Sequence, residues 1–160
     1  MQFITQFQFV SNQQMNNMNS SPRRTCVKRD ILKLEGISFS QWINEPNNIY
    51  IDKNAAKYSK KQGLSDSIWY KDIKELQKFK SGNEDEDYFT VYEQCIRATP
   101  EMWDNLDKLE NKVLGCWCKA SQQCHGDILI KLYEEKKRHN LYKEHSAQFN
   151  DEDLSNYKKY

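Results

Sequence analysis

The spacing of apolar positions predicts four helices. The clearest begins near Asp85, where apolar side chains recur at i, i+3, i+4, i+7 and i+8 and would form one buried stripe. That stripe consists of Tyr88, Val91, Tyr92, Cys95 and Ile96. An earlier helix is expected from Ser65 to about residue 81, with Ser65 or Asp66 as its N-cap. Its buried face would carry Ile68, Trp69, Ile73 and Leu76.

The other two helices are predicted nearer the C-terminus. Thr99, Pro100 and Glu101 are typical of a helix start, because threonine caps well, proline suits the first helical position and glutamate favours the first turn. The inward side chains of this helix would be Met102, Trp103, Leu106 and Leu109. The last helix would run from about His125 towards Glu144. Its inward side chains would be Ile128, Leu129, Leu132 and Tyr133.

Shorter apolar runs predict strands. Residues 31–39 hold β-branched and apolar side chains around Gly36, and residues 49–51 follow a turn-like segment, so each is expected to be extended. Residues 112–118 contain few polar side chains, which favours a central strand. Alternation of short strands and helices predicts an α/β fold. We therefore expect one small domain with a short, mainly parallel sheet flanked by helices.

The polar ends set the expected domain boundaries. Residues 11–24 are polar and lack periodicity, so residues 1–30 are expected to form a flexible N-terminal arm. Residues 31–145 would form the α/β domain and residues 146–160 a polar C-terminal tail. With 160 residues in all, a single domain is the natural expectation.

Composition narrows the classes of function. The net charge is only +1 with 29% charged residues, which does not indicate the basic field of many nucleic-acid binders. Binding of a nucleic acid or nucleotide would need a local patch. The sequence has no apolar stretch near 18 residues, so no membrane span is expected.

The five cysteines do not have the spacing of a secreted disulfide scaffold, which favours a reducing intracellular compartment. We expect a cytoplasmic location, cytoskeletal assemblies included. A mitochondrial location is the alternative, because four basic residues precede Asp30, the first acidic residue.

Candidate chemistry is concentrated between residues 114 and 127. Cys116, Cys118, Cys124 and His125 offer the donor atoms of a zinc site. On an extended strand, however, Cys116 and Cys118 would lie roughly 6–7 Å apart at their backbones, unlike the tight turn of a Cys-x-x-Cys pair. No cofactor is expected on this geometry, and zinc is the alternative.

Two other interpretations of this segment stay open. Cys124 would lie at a helix start, where free amide groups stabilise a thiolate, and His125 could assist it as a base. In the structural interpretation, the small thiols pack within a buried strand, Asp127 satisfies amide groups in the first turn and His125 hydrogen-bonds the loop. Cys124, His125 and Asp127 are thus catalytic candidates, with no catalytic residue assigned.

The run from Lys112 to Lys119, followed by Cys124-His125-Gly126-Asp127, closely resembles the signature of the domain-of-unknown-function family 4326. That family typically shows Gly-Lys-x-Leu-Gly-Cys-Trp-Cys-x-Pro and then Cys-His-Gly-Asp-Val-Leu. The resemblance extends over residues 49–138 and implies a small α/β domain without an agreed activity. This chain has Asp52-Lys53 where the family usually has Gly-Arg, lacks the Asn-Pro-Phe segment that the family often has, and has Lys119-Ala120-Ser121 in place of the proline after the Cys-Trp-Cys motif.

These departures retain the strand-loop-helix joint but alter the segments that could face a ligand. We therefore expect a non-catalytic α/β domain that serves as a structural or interaction subunit of a larger intracellular assembly. Its protein partners would be contacted through the terminal arms. The alternative is a nucleotide-binding or metal- or cysteine-dependent enzyme that uses the joint between Cys116 and Asp127.

Overall fold

The computed structural model describes residues 21–53, 68–82 and 86–157, with residues 145–157 described by their helical backbone. Three strands form one parallel sheet in the described part of the chain, and six α-helices accompany it. The predicted small α/β fold with a short parallel sheet flanked by helices is therefore confirmed. Among the described residues, no helix combines the length and apolar character needed to cross a membrane.

The sheet has its most apolar strand in the middle. Strand β1 is Arg23–Cys26, β2 is Asn48–Tyr50 and β3 is Val113–Cys116, and their order is β1-β3-β2. All four residues of β3 are buried, as predicted for a central strand. Because both neighbours run parallel to β3, all three strands end at the same edge of the sheet. Residues that follow the strands therefore meet there.

The helices have the following bounds. In chain order they are α1 Arg29–Leu34, α2 Phe39–Asn44, α3 Ile73–Leu76, α4 Tyr88–Ala98, α5 Pro100–Asn105 and α6 His125–Tyr157. Single 3₁₀ turns continue α3 over Gln77–Phe79 and α5 over Leu106–Leu109.

The alternating side chains of β3 divide the core into two clusters. Leu114 and Cys116 face the larger cluster, which includes buried residues of α4, α5 and α6. Val113 faces the smaller cluster, which is centred on Trp42 of α2 and includes Val27 and Tyr50. Gly115 points to the same face as Val113, and a Cβ built on it would lie 2.2 Å from Cη2 of Trp42. The indole ring thus occupies the space that any side chain at this position would need.

The predicted strand over residues 31–39 is wrong, because two helix-boundary signals interrupt it. Gly36 has a φ of +73°, a conformation that ends α1 and favours glycine. Ser38 then caps α2 by a reciprocal capping box with Gln41. Of α1, only Leu32 is buried. The apolar residues around Gly36 belong to the end of one helix and the start of the next.

The predicted N-terminal arm is also too long. Residues 23–26, which we expected in the flexible segment, form β1 and pair in register with β3 from Arg23↔Val113 to Cys26↔Cys116. Val27, directly after β1, is 1% exposed. Edge pairing needs no long apolar run, so the polar composition of this segment concealed a strand. Residues 1–20 lie outside the described residues.

Most other predicted elements are confirmed, with shifted ends. The helical stripe from Tyr88 to Ile96 lies in α4, the Thr99-Pro100-Glu101 signal begins α5, and α6 begins at His125 as expected but extends to Tyr157. The helix expected from Ser65 is shorter: it begins at Ile73, where Asp72 forms a capping box with Glu75, so Ile68 and Trp69 precede it. The expected burial of Ile73 is wrong, because its side chain is 63% exposed. Ser65 and Asp66 themselves lie outside the described residues.

Candidate functional site

The cysteine cluster lies at the edge of the sheet where the three parallel strands end. Cys116 is the last residue of β3, and a loop of exposed side chains at residues 119–123 leads to Cys124 and the first turn of α6. In open α/β folds, ligands usually bind in the crevice beyond the carboxyl ends of the strands. The fold therefore places the motif at the edge where such proteins commonly carry their sites.

Cys116, Cys118 and Cys124 bring their sulfurs within 4.8 Å of one another. The Sγ atoms of Cys116 and Cys124 are 3.3 Å apart, and both side chains are fully buried. The strand geometry that we expected for Cys116 and Cys118 is wrong, because β3 ends at Cys116 and the chain leaves the extended conformation before Cys118. The change of direction brings the third sulfur back to the other two.

Arg24 of β1 fastens the loop that carries these cysteines. Its Nε donates to Oδ1 of Asp127 at 2.7 Å, and its Nη1 lies 3.9 Å from Sγ of Cys116. Its guanidinium also donates to the carbonyl oxygens of Lys119, Ala120 and Gln122 at 3.2–3.3 Å. The planar, five-donor shape of guanidinium suits this set of acceptors, which a lysine could not reproduce.

Two aspartates also hold this loop by accepting hydrogen bonds from its backbone. Asp127 accepts from the backbone N–H of Cys124 at 3.0 Å through Oδ2, in addition to its ion pair with Arg24. Asp52, just after β2, accepts from the backbone N–H groups of Trp117 at 2.8 Å and Lys53 at 2.6 Å. Asp52 thus joins the ends of β2 and β3.

His125 is held in one orientation beside the cluster. Its Nε2 lies 2.7 Å from the carbonyl oxygen of Ile51, which can only accept, so Nε2 carries the proton and Nδ1 has the free lone pair. Nδ1 lies 3.7 Å from Sγ of Cys124. The ring packs edge-on against Tyr92, with centroids 5.6 Å apart. His125 is not among the side chains whose donor atoms converge within 4.8 Å.

The three thiols differ in their acidity. The pKa of Cys116 is lowered to about 6, because the Cys124 thiol donates to its sulfur and the Arg24 guanidinium lies beside it. The pKa of Cys124 is raised, because its proton is shared with Cys116 and because it is buried. Burial also raises the pKa of Cys118. The geometry thus favours one thiolate, at Cys116, with the other two sulfurs protonated around it.

The structure brings together most of the site residues predicted from the sequence. Cys116, Cys118 and Cys124 converge. His125 and Asp127 lie beside the cluster, where His125 hydrogen-bonds the carbonyl of Ile51 and Asp127 accepts from the N–H of Cys124. Arg24 was not among the site residues predicted from the sequence, because it lies in the segment that was expected to be a flexible arm. The available signal was the run Thr25-Cys26-Val27, which suits an edge strand and places an arginine one residue before it.

These features define a class of protein: a small parallel α/β domain with a cysteine cluster at the carboxyl end of its central strand. The family model "Domain of unknown function (DUF4326)" matches residues 37–135, and the chain belongs to this family. The match begins after β1, so Arg24 lies outside it. The chain matches no curated protein and no solved structure.

Proposed function

We propose that this chain is a non-catalytic α/β domain in which Cys116, Cys118 and Cys124 hold one zinc ion, and that it serves protein partners as a structural or interaction subunit inside the cell. The observation that carries the proposal is the convergence of the three sulfurs within 4.8 Å. Thiolates are favoured zinc ligands, and a reducing compartment keeps them available.

The distances fit a zinc ion. Two sulfurs on a tetrahedral ion with Zn–S bonds of about 2.3 Å are about 3.8 Å apart. The separation of 3.3 Å between Cys116 and Cys124, with all three sulfurs within 4.8 Å, brackets that value. An ion would therefore need only small side-chain adjustments to bind all three.

The charges around the cluster also suit a zinc ion. Three thiolates and Zn²⁺ carry a net charge of −1, which the guanidinium of Arg24 at 3.9 Å from Cys116 neutralises. The backbone N–H of Gly126 donates to Sγ of Cys124 at 3.4 Å, at the positively polarised start of α6. Outer hydrogen bonds of this kind fix ligands in place and tune their basicity.

The burial of the thiols favours binding over catalysis. An attacking cysteine needs an accessible thiolate, whereas Cys116 and Cys124 are each 0% exposed. The other catalytic candidates already form hydrogen bonds within the protein. His125 bonds the carbonyl of Ile51, and Asp127 bonds Arg24 and the N–H of Cys124. An ion at this position would fasten the loop to β3 and α6.

Elemental analysis of the purified full chain, refolded with zinc and dialysed, tests the proposal. We expect one zinc per chain, and less than a tenth of that in Cys116→Ser, Cys118→Ser and Cys124→Ser. Cys95→Ser is the matched control, because Cys95 is buried but belongs to no cluster of metal-binding side chains in the described residues. It should retain one zinc. A wild-type chain that folds and binds none would refute the proposal.

A further inference from the structure

His125 presents an unprotonated ring nitrogen to the cysteine cluster. Its Nε2 donates to the carbonyl oxygen of Ile51 at 2.7 Å, so Nδ1 carries the free lone pair, and Nδ1 lies 3.7 Å from Sγ of Cys124. On a tetrahedral zinc ion with a Zn–S bond of about 2.3 Å and a Zn–N bond of about 2.1 Å, the sulfur and nitrogen are about 3.6 Å apart. The observed separation therefore matches two ligands of one ion.

The start of α6 explains how two adjacent residues can face the same ion. Successive side chains within an α-helix diverge by about 100° around its axis, at about 3.6 residues per turn. Cys124, however, precedes His125, which is the first residue of α6. Its backbone N–H donates to Asp127 at 3.0 Å, so the loop and not the helix directs its side chain. The thiol and the imidazole can therefore meet.

The surroundings of His125 are those of a zinc ligand. A zinc-bound histidine almost always donates its other ring N–H to a carboxylate, a carbonyl or water, which fixes the orientation of the ring. The carbonyl of Ile51 is such a partner. The side chain of His125 is 6% exposed and packs edge-on against Tyr92. These contacts orient the imidazole before an ion binds.

Binding of all four donors requires side-chain adjustment. His125 lies outside the set of donor atoms within 4.8 Å of one another, which is formed by Cys116, Cys118 and Cys124. Cys118 is half-buried and lies in a bend beyond the end of β3, where neither strand nor helix fixes its backbone. An ion can therefore draw Cys118 and the imidazole towards each other.

Cys26 is the competing donor near the cluster. It pairs in register with Cys116 on the neighbouring strand, so both side chains lie on the same face of the sheet. Its side chain lines a surface cavity of about 430 Å³ together with Lys28 and Glu35. His125 already contacts a sulfur of the cluster, which favours the histidine over Cys26.

We propose, on the basis of the zinc site proposed above, that Nδ1 of His125 is the fourth ligand and completes a site of three cysteines and one histidine. The neutral imidazole leaves the net charge at −1, which Arg24 balances. The ion would join β3, the loop and α6 directly, and the segment after β2 through the carbonyl of Ile51. Four protein ligands leave no position for water or substrate, as in structural zinc sites.

¹⁵N NMR of the full chain, with its histidines labelled, tests which ring nitrogen binds zinc. Zinc should shift the resonance of His125 Nδ1, while Nε2 keeps its proton and its hydrogen bond to Ile51. The resonances of His139 should not change, because His139 lies about 21 Å further along α6 at about 1.5 Å per residue. An unshifted Nδ1 in a chain that holds one zinc would overturn the inference.

Cobalt loading tests the same contact by substitution, because Co²⁺ reports its ligands through visible absorption. His125→Ala should bind Co²⁺ at least about 100-fold more weakly, since loss of an outer partner alone costs about 10–100-fold. At saturation it should keep the cysteine-to-cobalt absorption, and free imidazole should restore the wild-type ligand-field bands. A purely structural role of His125 would give no such restoration. His139→Ala, on an exposed position of the same helix, is the matched control and should bind Co²⁺ as the wild type does.

The outcomes separate this inference from the zinc proposal. Unchanged metal affinity in His125→Ala would overturn the role of His125 and leave the cysteine site in place. Weaker binding in Cys26→Ser would then assign the fourth position to Cys26. If His125→Ala does not fold, the NMR measurement on the wild-type chain decides. A folded wild-type chain that binds neither zinc nor cobalt would instead refute the metal site itself.

Discussion

Gly115 is the residue at which β3 leaves no room for a side chain. A Cβ there would lie 2.2 Å from Cη2 of Trp42 and 2.8 Å from two further ring atoms. The ring is 5% exposed and packs on Phe39 at a centroid distance of 6.2 Å, so it cannot move aside freely. We expect Gly115→Ala to lower the free energy of unfolding by about 3 kcal/mol, at the upper end of overpacking effects. Urea denaturation measures the loss.

A double variant shows whether Trp42 is the cause. Trp42→Leu alone should destabilise the domain by creating a cavity, but Gly115→Ala should cost less in that background, because the ring is gone. The double variant should therefore lose at least about 1 kcal/mol less stability than the sum of the two single variants' losses. Additive effects of the two substitutions would contradict the close approach.

Arg24 should contribute far more stability than its neighbour in the same strand. Its side chain is 12% exposed, and its loss would remove the donor to Oδ1 of Asp127 and to three loop carbonyl oxygens. Asp127 is 43% exposed, so solvent reduces the effect. We expect Arg24→Ala to lower the free energy of unfolding by about 2 kcal/mol. The stability of Arg24→Lys should lie between that of the wild type and that of Arg24→Ala, because lysine keeps the charge but loses the planar donors.

Arg23→Ala is the matched control for Arg24. Arg23 is exposed, and the backbone hydrogen bond from its N–H to the carbonyl of Lys112 does not depend on its side chain. Its substitution should change the free energy of unfolding by less than about 0.5 kcal/mol. Similar losses for the two arginine variants would show that the side-chain contacts of Arg24 do not hold the loop.

At the scale of elements, α4 and α6 are joined by one arginine between two carboxylates. Arg97 donates to both oxygens of Glu135 at 2.8 and 2.6 Å and to Glu93 at 2.8 Å, while Lys131 pairs with Glu93 at 2.7 Å. Arg97 lowers the pKa of Glu135. Burial alone would raise the pKa of Glu93, but Lys131 and Arg97 lower it overall.

These lowered pKa values predict how acid acts on the domain. A carboxylate with a depressed folded-state pKa stabilises the fold above its unfolded pKa of about 4.3, and this stabilisation is lost as the pH falls through the folded value. We expect Arg97→Met to reduce stability at pH 7 by about 0.5 kcal/mol, and to make the loss between about pH 5 and about pH 3 shallower. Arg29→Met, at the exposed start of α1, should keep the wild-type acid profile. Identical profiles for both variants would contradict the prediction.

The elements that sequence patterns predicted well are those whose signals are local. The stripe of α4, the cap and proline of α5 and the buried run of β3 each follow from side chains within one element. The strand β1 and the convergence of Cys118 with Cys116 and Cys124 depend instead on partners far along the chain. Arg24, for example, contacts residues more than 90 positions away, and no local pattern encodes such contacts. Residues 31–39 were wrongly predicted for a different reason: Gly36 and Ser38 are local signals, but they mark helix ends only when they are considered together.

At the scale of the whole molecule, these long-range contacts determine where the folding unit begins. At the two ends of the β1–β3 pairing, the N–H of Arg23 donates to the carbonyl of Lys112 at 3.0 Å, and the N–H of Val27, just after β1, donates to the carbonyl of Cys116 at 2.9 Å. The Val27 side chain lies in the smaller core cluster. A fragment of residues 31–144, which begins at the boundary expected from composition, lacks this strand, the Arg24 contacts and the Val27 side chain.

We therefore expect the fragment 21–144 to unfold cooperatively on heating, with a Tm within a few degrees of the full chain, and the fragment 31–144 to show no cooperative transition. The common C-terminal end is chosen because Lys136 is the last buried residue in the part of α6 whose side chains the structure describes; it donates to the carbonyls of Trp103 and Asp104. Differential scanning calorimetry compares the two fragments. Cooperative unfolding of 31–144 at the Tm of 21–144 would show that the domain folds without β1, and that Arg24 attaches to a site formed without it.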